Sequence, residues 1–392
     1  MTTFGPLFVP TPFRAAVADD AWLVAMLEVE RALVNALSLA GVIPPHSAVA
    51  VAERCVPSLY DVAALSEAGR ASGNPVEPLV RALREEVGGD DARYAHYGAT
   101  SQDVLDSAAM IVARSATGLL DVELAAAAAE CARLAEEHRA TPMAARTLLQ
   151  QAVPTTFGLK AAGWLVALLD ARARVARVEL PAQLGGAAGT LAPLGADGPK
   201  VLALFAAELE LAEPLLPWHT NRAPVAELAG ALDAAAGVAA KIGLDVVLLA
   251  QTEVGEISER DGGVSSTIPQ KRNPVRATLA RACARGVHAE ASVLTGGDYE
   301  LERAAGAWQA EWGALSSALA LAGGAVAAIR ECLEGLQVHS DRMRMNMTDG
   351  LLAERRVFAE REGVEADDDP TTYLGSADAF VERALERFGE ST

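Results

Sequence analysis

Three irregular stretches interrupt long helical patterns in this chain, and each carries side chains able to do chemistry. The first is Gly262-Gly263-Val264-Ser265-Ser266-Thr267-Ile268-Pro269-Gln270-Lys271-Arg272-Asn273-Pro274. Its glycines permit a mobile loop. Ser265 can exchange a proton, and Lys271 and Asn273 can hold negative charge. The chain has only four lysines (160, 200, 241 and 271), which makes one inside this loop informative. The same run also reads as a plain loop ending in a helix capped by Asn273 and opened by Pro274.

The second stretch is His96-Tyr97-Gly98-Ala99-Thr100-Ser101-Gln102-Asp103. Thr100-x-x-Asp103 fits a capping box. A helix N-terminus bearing two hydroxyls, Thr100 and Ser101, is equally a ready site for a carboxylate. The third, Ala145-Arg146-Thr147-Leu148-Leu149-Gln150-Gln151-Ala152-Val153-Pro154, is polar enough for a site and short enough for a turn. His219 follows Trp218, and Arg222 lies one helical turn further on, where the two can share a face toward a polyanion. A lone histidine beside an aromatic ring also has a purely structural reading.

The elements that must position these residues are helices. Ala, Leu, Glu and Arg dominate, and alternating β-branched runs are nearly absent. Helices are expected at 20–40, 46–54, 58–72, 76–87, 102–139, 154–180, 199–211, 223–260, 274–295, 301–338 and 376–388. The longest exceed the globular mean severalfold and indicate an elongated bundle. The expected division is an N-terminal helical domain over 1–101, a central long-helix bundle over 102–346, and a C-terminal domain over 347–392.

A net charge of −19 over 392 residues and a pI near 4.8 argue against nucleic acid or an anionic membrane as partner. They allow a small anion held by a local basic cluster. Cys55, Cys131, Cys283 and Cys332 show no metal-ligand spacing, so neither a metal site nor a disulfide framework is expected. The N-terminus lacks the pattern of a signal peptide, and a cytoplasmic location is expected. The charge-free stretch 312–329 has the length of a membrane span, but its Ala, Gly and Ser content reads as a buried bundle helix. We expect it to be covered by neighbouring subunits.

The first stretch resembles the signature loop of the fumarase/aspartase superfamily, Gly-Ser-Ser-x-Met-Pro-x-Lys-x-Asn-Pro. The second resembles that superfamily's Thr-Ser substrate segment, and Gly185-Gly186-Ala187-Ala188-Gly189-Thr190 supplies a third match in the right order. Within the superfamily, residues 96–103, 146–158, 217–222 and 369–375 resemble the 3-carboxy-cis,cis-muconate cycloisomerase family. The resemblance implies an all-α fold of three domains around a central bundle of long helices. It also implies a homotetramer whose active sites are shared between subunits, a small polycarboxylate substrate and no cofactor. Carried over by position, Ser265 handles the proton next to a carboxylate, and Lys271 and Asn273 bind that carboxylate. Thr100, Ser101 and Gln150 are further substrate contacts, and Asn74, in Gly73-Asn74-Pro75, is another candidate. Val264 and Ile268 replace the family's glycine and methionine, and the third domain looks shortened.

The implied reaction closes 3-carboxy-cis,cis-muconate to 4-carboxymuconolactone, a step of aromatic degradation. The substrate's own carboxylate adds to a double bond and Ser265 supplies the proton. Leu148 discriminates between chemistries. Adenylosuccinate lyases carry histidine there, as the acid for an amine leaving group. A carboxylate is a weak base and leaves unaided. The alternatives are a C–N lyase of the same superfamily and a catalytically weakened helical scaffold.

Overall fold

The computed structural model describes residues 4–260, 262–264, 267–268, 271–297 and 299–391. Among these, helices of ten or more residues are numbered α1 (Asp19–Ala40), α2 (Val62–Ser72), α3 (Val76–Val87), α4 (Ser101–Glu137), α5 (Phe157–Ala176), α6 (Gly198–Glu208), α7 (Ala223–Leu249), α8 (Val275–Leu294), α9 (Ala307–Glu334), α10 (Ala353–Glu362) and α11 (Ala377–Ser391). Three two-stranded antiparallel ladders accompany them. The strands are β1 (Pro142–Thr147) with β2 (Gln150–Thr156), β3 (Ile257–Glu259) with β6 (Leu336–Val338), and β4 (Gly263–Val264) with β5 (Arg272–Asn273). The expected all-α class holds.

The core of the molecule is the bundle of α4, α5, α7, α8 and α9. Its buried faces are largely alanine, as at Ala231, Ala235, Ala236 and Ala239 of α7, so the helices approach closely. Helices α4 and α9 run side by side in the same direction. Trp308 Nε1 donates to Asp106 at 3.0 Å near their N-termini, and Arg330 Nε donates to Glu123 at 2.6 Å further along. At 1.5 Å per residue the 37 residues of α4 separate the two ends of the bundle by about 55 Å.

Much of the expected cover of 312–329 comes from within the chain. Helix α9 is long and apolar enough to cross a membrane, yet its most apolar window is already 67% buried within one chain. The N-terminal arm lies across it. A Cβ on Gly323 would stand 2.1 Å from the Phe13 ring, and one on Gly324 would stand 2.4 Å from the Phe8 carbonyl oxygen. This packing inside the chain accounts for the absence of charge on the buried part of the helix.

Three other expectations change. Residues 154–156 form the end of a hairpin, not the start of a helix, because Pro142–Thr147 lies alongside to pair with them. The expected helix 223–260 stops at Leu249. The expected helix 301–338 begins only at Ala307, after Gly306 at φ 122°. Helix α11 folds back onto the bundle. There Arg139 pairs with Asp378 at 2.9 Å and with Glu382 at 2.5 Å, and Arg387 pairs with Asp170 at 2.6 Å.

The hairpin turn is strained. Leu148 (φ 51°) and Leu149 (φ 63°) are both left-handed, a conformation that two-residue hairpin loops fill with Asn and Gly. Both leucines point into solvent in the single chain, 96% and 70% exposed. The double substitution Leu148→Asn/Leu149→Gly is expected to stabilise the isolated chain by about 1–3 kcal/mol, measured as the shift in a urea unfolding midpoint. A lower midpoint would mean that the leucines are held by another surface.

Candidate active site

At the N-terminal end of α4 the chemistry is organised around Asp103, which sequence reading treated only as a cap. Its carboxylate is buried and accepts four hydrogen bonds. Thr100 N–H donates at 3.0 Å, Gly185 N–H and Gly186 N–H donate at 2.9 Å each, and His219 Nε2 lies 2.7 Å away. Thr100 and Asp103 form the expected capping box. The glycines are required by close approach. A Cβ on Gly185 would meet His219 Cε1 at 2.7 Å, and one on Gly186 would meet the Gly98 carbonyl oxygen at 2.9 Å. One carboxylate thus ties together three segments that the sequence shows only as separate motifs.

Arg222 is held by carboxylates of its own chain. Its guanidinium is buried and bidentate to Asp106, at 2.7 and 2.9 Å. It also donates to Glu311, from Nε at 3.1 Å and from Nη2 at 2.5 Å. Its carbon Cζ sits 4.7 Å from the centre of the Trp218 ring. Burial opposes the charge, but Asp106 and Glu311 outweigh it and raise the pKa. Four of its five N–H donors are thus engaged by carboxylates of the chain itself. His219 is likewise buried and held on Asp103, which favours its structural reading.

Arg303, absent from the sequence-derived candidates, also reaches this end. Its Nη1 donates to Thr100 Oγ1 at 2.9 Å. Ser101 begins α4, where the helix dipole favours an anion. It borders a cavity of about 500 Å³ together with Arg81, Arg84 and His96. Asn74 lies in the turn before α3. Its Oδ1 accepts from the N–H groups of Val76 at 3.0 Å and Glu77 at 3.2 Å, starting α3.

His96 joins this end to α1. Its Nδ1 is 2.6 Å from Glu30 Oε1. Burial alone would lower its pKa, but the Glu30 charge and hydrogen bond raise it above 6.5. A raised folded-state pKa contributes stability in full below the unfolded value, and that contribution disappears as pH rises through the folded value. The stability difference between wild type and His96→Gln is therefore expected to be largest near pH 6 and to shrink on the alkaline side. Thermal unfolding of both proteins across pH 5.5–9 measures it. A difference that grows with pH would refute this account.

The described residues among the remaining candidates lie at the opposite end of the bundle. Ser265 falls outside the described residues. Lys271 is exposed. Asn273 does not cap α8. It lies in β5, where its Nδ2 donates to Gly263 O at 3.1 Å and helps close the base of the loop. The cap comes from Glu259, which accepts from Arg276 N–H at 3.2 Å and Ala277 N–H at 2.9 Å. Gln150 is exposed on β2 and pairs across the hairpin with Thr147. Arg146 of β1 is bidentate to buried Glu256, at 3.0 and 2.6 Å, next to β3. The hairpin and the signature loop therefore share one end. Thr100, Ser101 and Arg303 occupy the other, about 55 Å away by the length of α4.

Among the described residues no group of three or more His, Cys, Asp and Glu side chains is arranged to hold a metal. Burial pushes the Cys55 thiol up to about 12 and the Cys283 thiol up to about 11, which keeps both protonated and unreactive near neutrality.

A profile of the family described as lyase matches residues 12–288, more than half of the chain. The chain belongs to the lyase family. This lyase is 42% identical to a nitrosuccinate lyase of Streptomyces davaonensis, over 97% of this chain and 93% of that one. It is 44% identical to a 3-carboxy-cis,cis-muconate cycloisomerase of Bradyrhizobium diazoefficiens, over 94% of this chain and 85% of that one. Among solved structures, the 3-carboxy-cis,cis-muconate lactonizing enzyme of Pseudomonas putida superposes with a TM-score of 0.91 at 34% identity, covering 99% of both chains. The lyase therefore has the fold of the fumarase/aspartase superfamily.

Proposed function

We propose that this lyase is a 3-carboxy-cis,cis-muconate cycloisomerase that acts as a homotetramer with active sites shared between subunits. The reading of the activity is supported by relatives and solved structures bearing that name at 29–44% identity. The observation that carries the chemistry is the tip of the β1–β2 hairpin. It presents Leu148, 96% exposed and without a titratable group, where a C–N lyase expelling an amine needs an acid. Sharing between subunits is supported by the distance along α4. Thr100 and Lys271 of one chain cannot touch the same small molecule, so a complete site needs a second copy.

In this reading a substrate carboxylate oxygen adds to the conjugated double bond and closes the lactone. The C–O bond forms as the double-bond electron pair moves onto the carbon next to a carboxylate, and Ser265 protonates that carbon. Because the nucleophile belongs to the substrate, the enzyme chiefly fixes one conformer. Lys271, the Thr100–Ser101 helix start and Arg303 stabilise the enolate-like charge. Asn273 and Gln150 border the loop and hairpin that supply the other half. We read 347–392 as a shortened third domain. The alignment with the Streptomyces relative runs over 442 positions, more than this chain's 392 residues, so part of that relative faces gaps here. We place the enzyme in the cytoplasm, in aromatic degradation.

A second reading is favoured by the nitrosuccinate lyase relative. Elimination from a nitro-substituted succinate expels nitrite, a weakly basic oxyanion. Leu148 is as compatible with that leaving group as with a carboxylate, so it excludes amine elimination without excluding all C–N cleavage. Offering 3-carboxy-cis,cis-muconate, nitrosuccinate and adenylosuccinate separately, and following the ultraviolet spectrum, separates the readings. Consumption of the muconate alone is the expected result. Fumarate formed from nitrosuccinate, with the muconate untouched, would replace the proposal by the second reading.

A further inference from the structure

Beneath the β1–β2 hairpin lies a partly open cavity of about 350 Å³, bordered by Arg146, Leu149, Lys160, Asp245, Leu248 and Gln251 among others. Its size is that of a small-ligand site. Gln150, the substrate contact implied by the family resemblance, is not among its lining residues. The charges around it pair off with one exception. Arg146 is bidentate to Glu256, which also accepts from Asn346 Nδ2 at 2.9 Å. Lys241 pairs with Asp245, which accepts from Trp164 Nε1 at 2.8 Å as well. Three cations therefore face two carboxylates. Lys160 makes no hydrogen bond or ion pair among the described residues.

A half-buried ammonium without a counter-charge in contact is costly. Burial pushes the Lys160 amine below its usual range. Asp245 and Glu256 counteract this, while Lys241 and Arg146 reinforce it. We propose that this cavity is an anion site, with Lys160 as its anchoring cation, and that it takes one small monocarboxylate. The single surplus positive charge sets the charge of the ligand. The apolar lining by Ala144, Leu248, Leu249 and Val254 favours a short organic anion over a strongly hydrated ion. Arg146 and Leu149 belong to the hairpin, so an occupant braces that hairpin against α5 and α7. The site is independent of the catalytic reading above and is tested without an activity assay.

With four lysines in the chain, each can be followed separately. The assembled protein is given a limiting pulse of an amine-acylating succinimidyl ester near pH 8, and acylation is mapped by peptide mass, with exposed Lys200 as internal reference. Acetate is the probe and acetamide its uncharged control. At acetate tenfold above its dissociation constant, labelling of Lys160 is expected to fall about tenfold, with Lys200 unchanged and acetamide without effect. In parallel, acetate is expected to raise the thermal midpoint of wild type but not of Lys160→Met. Equal labelling of Lys160 with and without acetate overturns the proposal, as does an acetate-induced shift that persists in Lys160→Met. Protection that follows protein concentration instead of acetate assigns the carboxylate to a second copy of the chain, and it also overturns the proposal. If Lys160→Met fails to fold, the labelling of wild type decides alone.

Discussion

Two inactive variants of this chain, Ser265→Ala and Arg303→Met, are expected to regain activity when unfolded together and reassembled. Ser265→Ala alone should lower turnover by about 10²–10⁴-fold, the range for removing a general acid–base group, with folding intact. Arg303→Met should act on the other half of the site, by removing the cation that holds Thr100 Oγ1. If each site draws its signature loop from one chain and its Thr100 end from another, random mixing rebuilds about one quarter of the sites with both halves native. The expectation rests on the separation of the two halves in one chain by the 37-residue length of α4. A mixture no more active than the separate variants would defeat the shared-site model. Light scattering on each variant is the control for assembly.

The second large effect is on stability. Arg222→Met is expected to destabilise the protein by about 3–5 kcal/mol, because it leaves the buried carboxylates Asp106 and Glu311 without their common partner. The group to which they belong also includes Gln102, Trp308 and Tyr299, so the loss extends to the junction of α4 with α9. Replacing Asp106 and Glu311 by Asn and Gln in the same chain should recover part of the loss, since neutral amides can hydrogen-bond to one another without a cation. Urea unfolding of the single and triple variants measures both changes. A stable Arg222→Met protein with a raised KM would instead return Arg222 to the substrate.

The sequence by itself determined the helical class, the order of the long helices and the three irregular stretches. Helices α1, α3 and α4 begin and end within two residues of their expected bounds. These features are local. Apolar spacing, the Thr100–Asp103 box and the glycine after α1 act over one or two turns. The resemblance of the signature loop was equally legible, because a motif is a run of neighbours. Tertiary structure decided the rest, because the deciding partners are distant in the chain. Asp106 meets Arg222 across 116 residues and Arg303 meets Thr100 across 203, separations to which no periodicity is sensitive. Residues 150–156 became a strand because 142–147 pairs with them, which local propensity cannot reveal. His219 and Arg222 are visible in sequence as candidate ligands, while the buried carboxylates that hold them, Asp103 and Asp106, lie more than a hundred residues away. Only the rigid length of α4 shows that Thr100 and Lys271, neighbours in a family pattern, stand at opposite ends of one molecule.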